Sequence, residues 1–382
     1  MVLFVTLTEF LLYISFSILF GSTILLLVPE KYKPDLHIPK QLLYIATGTV
    51  FITALFPVIR TAEIFSTERN MWFIFKNVLF TFDVGQSWVF IAVISVILIR
   101  VLLFKGYKTN PWLLGTSIFL TLLMLLAYTK SSHAASITEW QGFYAHTLHF
   151  LAVSVWIGIL FMVSWFSKDH RNWGDFIKWY TPVALICLIV VSVAGYFTMS
   201  IDINSYDNPS ASVFQEYQNS LTVNYGQALL FKHLFIISIV LFAVINGIIY
   251  RVRKNNESFH PLKWARTESI FAIVAFTFTA FMGQSWPPHQ LYSLIKSYGA
   301  SPLFTTFTQS EMVSQIMTAE SLEIFNVSMS FSTLSYLFLV IGLFFLSLIF
   351  VAVFKRSSVA MAFISACLMV ASFYFSIMTA IQ

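Results

Sequence analysis

Charge is scarce in this chain. Asp, Glu, Lys and Arg make up 10% of its 382 residues, and 58% are hydrophobic. A soluble globular domain carries about a quarter charged residues. With 41 Phe and a mean hydropathy of +0.79, so little charge excludes a water-soluble enzyme. It also excludes disorder, which needs low hydrophobicity and high net charge. Cysteine is nearly absent. Cys187 and Cys367 lie mid-way along apolar stretches, with no C-x-x-C and no disulfide framework. The 14 glycines fall in neither G-x-G-x-x-G nor G-x-x-x-x-G-K-[ST] spacing, so nothing points to a nucleotide-driven motor. G-x-S-x-G and H-E-x-x-H are missing too, which argues against an enzyme. Any transport then runs on a gradient, a partner or a redox step. The N-terminus has no Lys or Arg before its apolar run, carries Glu9 within it and lacks a small-residue cleavage site. We read it as a retained first helix rather than a signal peptide.

What is present in abundance is the long apolar run. A spanning helix needs about 20 apolar residues. Ten segments qualify: 5–28, 41–59, 84–104, 111–129, 140–166, 177–200, 225–250, 267–286, 331–354 and 358–380. They are continuous rather than alternating, so strands are not expected. The fold class is therefore all-α, a polytopic membrane helix bundle. The mixed stretch 61–82, with Trp72-Phe73-Ile74-Phe75 between Arg69 and Lys76, reads as an interfacial helix. If both termini face outside, the inner loops hold 16 of the 22 Lys and Arg, as the positive-inside rule asks. Much of the net charge of +5 then belongs to cytoplasmic loops and not to a nucleic-acid face. The longest non-spanning stretches, 201–224 and 287–330, fall outside, and the second is expected to form short helices over the outer face. This divides the chain into an N-terminal membrane region (1–129), a membrane core (130–290) and a C-terminal part (291–382).

Eight histidines punctuate the sequence. His37, His170 and His260 fall in inner loops and read as solvated. His133, His146, His149, His233 and His289 all belong to the outer half. His146 and His149 stand at i, i+3 on one helix and share a face. His149 lies roughly 13 Å along that helix from Trp140. Ionisable groups inside a membrane are costly and are functional candidates by default. Neutral imidazole ligates copper, zinc or haem iron, and a thioether such as Met282 adds a soft ligand suited to Cu(I). The bland alternative is a histidine that hydrogen-bonds helices together. Glu9 could be a ligand, a proton site or an interfacial carboxylate. Lys232 needs an acid or a route to the surface. Glu268 reads as structural, paired with a base of the 251–266 loop.

The block 130–290 resembles the CopD family of bacterial copper-resistance and copper-uptake membrane proteins, including YcnJ-type importers. The elements that carry the resemblance are Ser132-His133-Ala134, then Leu148-His149 running to Trp156-Ile157-Gly158. Tyr225-Gly226 with Lys232, Asn246 and Arg251 comes next, and then Arg266 with Glu268 before Pro287-Pro288. Ser132 and Ile159 replace glycines usual in the family, and His146 stands where an acid is common. The first four helices are similar only in hydropathy. The resemblance implies copper transport across a bacterial plasma membrane, with His133 and His149 the positions best carried over. The expected metal site is His133, His146, His149 and His289, with Met282 and Glu9 as second choices, for Cu(I) or Cu(II). Expected partners are copper ions, the lipid bilayer and an extracellular copper-binding donor protein, with no nucleic acid. Rival readings are a haem-b electron carrier using His149 and His233, and a copper chaperone or assembly factor for a respiratory oxidase.

Overall fold

The computed structural model describes residues 2–66, 70–204, 210–253, 260–308, 326–356 and 358–381. The side chains of residues 2, 248–253, 355 and 356 are not described. Arg69, Lys254 and the side chains of Arg251 and Arg253 therefore lie outside the described structure. The described residues are helical apart from short connections, and their only β pairings are two isolated bridges. Among the described residues, ten helices are long and apolar enough to cross a membrane. The chain is an all-α, multi-pass membrane protein. It divides into two compact units, Met1–Ile201 and Asp202–Gln382.

In the first unit, α1 (Val2–Leu27) packs against α2 (Lys40–Thr53), α6 (Pro111–Lys130) and α8 (Trp140–Phe166). Its Phe16, Phe20 and Leu25 are fully buried. Where α2 would continue, the helix breaks at Ala54 and resumes as α3 (Leu55–Phe65). Pro57 explains the break, since its ring clashes with the carbonyl four residues back, that of Thr53. The second span therefore runs on to Phe65, and the interfacial helix expected over 61–82 is instead α4 (Met71–Thr81). Asn70 caps α4 by accepting from the Trp72 amide at 2.8 Å. At 11 residues it is about 16 Å long, too short to span. Ile74 and Val78 pack on Val58 and Ala62, while Trp72, Phe73 and Phe80 stay exposed. α5 (Asp83–Leu103) packs on α2 and α6. A short α7 (His133–Thr138) precedes α8, and α9 (Trp173–Ile203) follows it.

Three connections are tied together at one end of this unit. The His37 amide donates to Phe166 O, and the Lys168 amide donates to Asp35 O. Lys108 Nζ donates to Ile38 O at 2.6 Å, and Lys40 Nζ to Leu102 O at 3.3 Å. These connections follow the first, third and fifth spans, so the helices alternate in direction as the hydropathy required. Lys33 donates to Leu25 O at 2.6 Å, and burial pulls its ammonium below the usual lysine range.

The second unit contains α10 (Val213–Ser220), α11 (Asn224–Arg253), α12 (Pro261–Gln284), α13 (Leu291–Tyr298) and α14 (Pro302–Phe307). They are followed by α15 (Thr333–Val351) and α16 (Val359–Met378). α11 pairs with α12, α15 pairs with α16, and α16 also touches α11 and α12. Aromatic stacking welds the group: Phe231 lies 4.9 Å from Phe278 and 4.3 Å from Tyr374 between ring centroids. The stretch 287–330 does form short helices, α13 and α14, although 309–325 lies outside the described residues. α10 is tied to the segment before α15, because Asn219 Oδ1 accepts from the Val327 amide and Gln215 Nε2 donates to Val327 O, both at 2.8 Å.

Candidate metal site

His149 has the most defined surroundings of the expected ligands. It sits in α8, half-buried, with Nδ1 3.0 Å from the carbonyl oxygen of Val191 on α9. A carbonyl only accepts, so Nδ1 carries the proton and Nε2 carries the lone pair. A backbone carbonyl that fixes the tautomer in this way is the usual support of a metal-binding imidazole. The approach depends on Gly195: a Cβ there would stand 2.8 Å from His149 Nδ1. His146 is also half-buried, but its described partner is different, an edge-on contact with Phe150 at 6.4 Å.

Phe150 is the hub of an aromatic cluster with Tyr13 and Phe16 of α1 and Tyr128 of α6. Glu9 joins from one side. Tyr128 donates to the Tyr13 hydroxyl at 3.4 Å, and Tyr13 donates to Glu9 Oε2 at 3.5 Å. Glu9 is buried, 8% exposed. Its described bond is to a phenol. His133 is the exposed first residue of α7, which Ser132 caps by accepting from the Ala135 amide at 3.4 Å. Glu139 turns α7 into α8 with φ of 45°, a left-handed conformation that a non-glycine residue adopts at a cost.

In the second unit, His289 is buried in a 3₁₀ turn, Pro288–Gln290, and its Nδ1 donates to Asn204 O at 2.7 Å. Met282 is half-buried near the end of α12. His233 meets the Tyr217 hydroxyl at 3.0 Å through Nδ1, and burial pushes the Tyr217 phenol up. Asp202 is an acid within electrostatic reach of Lys232. Asp202 accepts from Tyr225 at 3.2 Å, and its other oxygen has no hydrogen bond among the described residues. Glu268 has Asn246 on α11 as its described partner, at 2.6 Å; the side chains of Arg251, Arg253 and Lys254, the bases expected beside it, lie outside the described residues. Among the described residues, no three His, Cys, Asp or Glu side chains are grouped ready to hold a metal ion. The expected ligands thus divide: Glu9, His133, His146 and His149 in one unit, Met282 and His289 in the other.

The sequence reading missed the small residues. Ser17-x-x-x-Gly21 on α1 meets Ser154-x-x-x-Gly158 on α8. A Cβ on Gly21 would lie 2.2 Å from the Gly158 carbonyl carbon, and one on Gly158 2.2 Å from Ser17 O. The small-x-x-x-small spacing in both helices was the available signal. Gly158, which carries part of the family resemblance, is a helix-crossing point, and it sets α8 with its two histidines against α1.

Comparison with family models gives a match over residues 1–143 to the copper resistance protein D-like, N-terminal domain. Comparisons with curated proteins and with solved structures give no match. The matched residues are chiefly the first four spans, where only hydropathy was similar, and they include His133 but end before His146. Residues 1–143 are thus similar to a copper-resistance membrane domain, and the apolar helices make the chain a multi-pass membrane protein.

Proposed function

We propose that the protein moves copper ions inward across a bacterial plasma membrane. The observation that carries the reading is the setting of His149 within a chain that bears a CopD-type N-terminal domain. Its Nδ1–H is held by Val191 O, so Nε2 carries the lone pair that a copper ion would take. Copper is the cargo. His133, exposed at the start of α7, meets the ion first. His149 and His146 then replace part of its hydration shell, with Glu9 one aromatic layer away. His289, also tautomer-fixed by a carbonyl, and Met282 are the corresponding donors of the second unit. Imidazoles suit Cu(II), and recruiting Met282 favours Cu(I). A transport site must also release its ion, so few ligands and an open position serve it better than a closed cage. The clustering of histidines in the outer half supports uptake over export.

Elemental analysis with an absorption spectrum on detergent-purified protein tests this. We expect copper near one per chain in the wild type, lost in His133→Ala/His149→Ala, and no Soret band. A haem band, or metal content indifferent to both substitutions, would overturn the site. Retained binding with no flux in vesicles would point to a chaperone.

A further inference from the structure

The second unit holds a carboxylate that the copper reading does not use. Glu268 lies in the third turn of α12 and is 2% exposed. Its Oε2 accepts from Asn246 Nδ2 of α11 at 2.6 Å. The other amide atom, Asn246 Oδ1, is buried and has no hydrogen bond among the described residues. Buried polar atoms are nearly always satisfied, so the orphan needs a reason. With Glu268 ionised, the pair has acceptors to spare and too few donors. One proton corrects this. A proton on Glu268 Oε1 makes it a donor to Asn246 Oδ1, while Nδ2 keeps its bond to Oε2. The two groups then close an acid–amide ring in which both amide atoms are satisfied, and the charge is removed from the bilayer interior.

We propose that Glu268 and Asn246 form a proton-binding site whose loading and unloading drive copper movement; the coupling, though not the site, rests on the copper-transport reading. The charged and titratable groups on the packed elements are few. On α11, Lys232 and His233 lie about 20 Å toward its other end, and Arg251 and Arg253 close the helix. Tyr225 stands at the far end of α11; on α12 itself they are Lys263 and Arg266, and α16 brings Cys367 and Tyr374. The proton enters as H⁺ from water, is held on the carboxylate and leaves as H⁺, so no other reactant is needed.

The first measurement is an infrared difference spectrum of the full-length protein across a pH titration. A protonated carboxylic C=O band should appear in the wild type, vanish in Glu268→Gln and shift in Asn246→Leu, where the amide partner is gone. A band unchanged by both substitutions overturns the site. The second is copper uptake into proteoliposomes with and without an imposed pH gradient. The gradient should change the wild-type rate several-fold and leave the Glu268→Gln rate unchanged. Uptake indifferent to the gradient, or driven by a sodium gradient instead, overturns the coupling. A wild type that moves no copper overturns the transport reading, and the infrared band still decides the proton site.

Discussion

His149→Ala should abolish copper-dependent uptake while the protein still inserts and folds. The loss of one imidazole hydrogen bond to Val191 O removes little stability, since such interhelical bonds contribute roughly 0.6 kcal/mol inside a membrane. The loss of a ligand nitrogen is of another order. A transport site with few donors has none in reserve, and losing merely the hydrogen bond that orients a ligand typically costs roughly 10- to 100-fold in metal affinity. Gly195→Ala supplies that milder change. Its Cβ would sit 2.8 Å from His149 Nδ1, so the ring must turn and the bond to Val191 must lengthen. Initial rates of copper accumulation in cells or vesicles should rank wild type, then Gly195→Ala, then His149→Ala at background. Full uptake in His149→Ala at matched expression would remove His149 from the site.

Gly158→Leu should prevent stable assembly of the first unit. A side chain there meets backbone, not a movable neighbour: its Cβ would lie 2.2 Å from Ser17 O and 3.1 Å from the Gly21 amide nitrogen. α1 and α8 must then move apart, which loosens the cluster of Tyr13, Phe16, Tyr128 and Phe150 between them. Overpacking a core costs about 1–3 kcal/mol where neighbours can yield. Here they cannot, so the cost should reach or exceed the top of that range. Gly115→Leu is the control, because nothing lies within 4 Å of a Cβ at that position. Thermal unfolding in detergent, followed by size exclusion, should show a large loss for Gly158→Leu and almost none for Gly115→Leu. Equal melting of the two variants would mean that the crossing does not hold the unit together.

Much of the architecture was legible in the residues themselves. Water is absent from the bilayer core, so each span must satisfy its own backbone and must be apolar for about 20 residues. That rule alone recovers all ten helices to within a few residues at most ends. It fails at 61–65, because hydropathy does not register a proline kink: the second span bends at Ala54 and goes on to Phe65. It is silent about α4's register against α3, which depends on Val58 and Ala62 meeting Ile74 and Val78.

The candidate site was legible in part. Composition and depth single out His149 and His289 as costly groups that need a purpose, and i, i+3 spacing puts His146 beside His149. Sequence could not say that His149 turns to Val191 while His146 turns to Phe150, because that depends on which helices flank α8. Nor could it pair Glu268 with Asn246, 22 residues away on another helix, or reach the Tyr128–Tyr13–Glu9 chain, whose hydroxyls stand 115 residues apart. The amino-acid sequence by itself determined that this protein lives in a bilayer, how many times it crosses and which ionisable residues it carries inside, since each follows from transfer free energies read locally. Only the tertiary structure decided the tautomers of His149 and His289, the described partners of Glu9, Asp202 and Glu268, and the glycines on which α1 and α8 cross, since those are set by atoms that meet across elements distant in the chain.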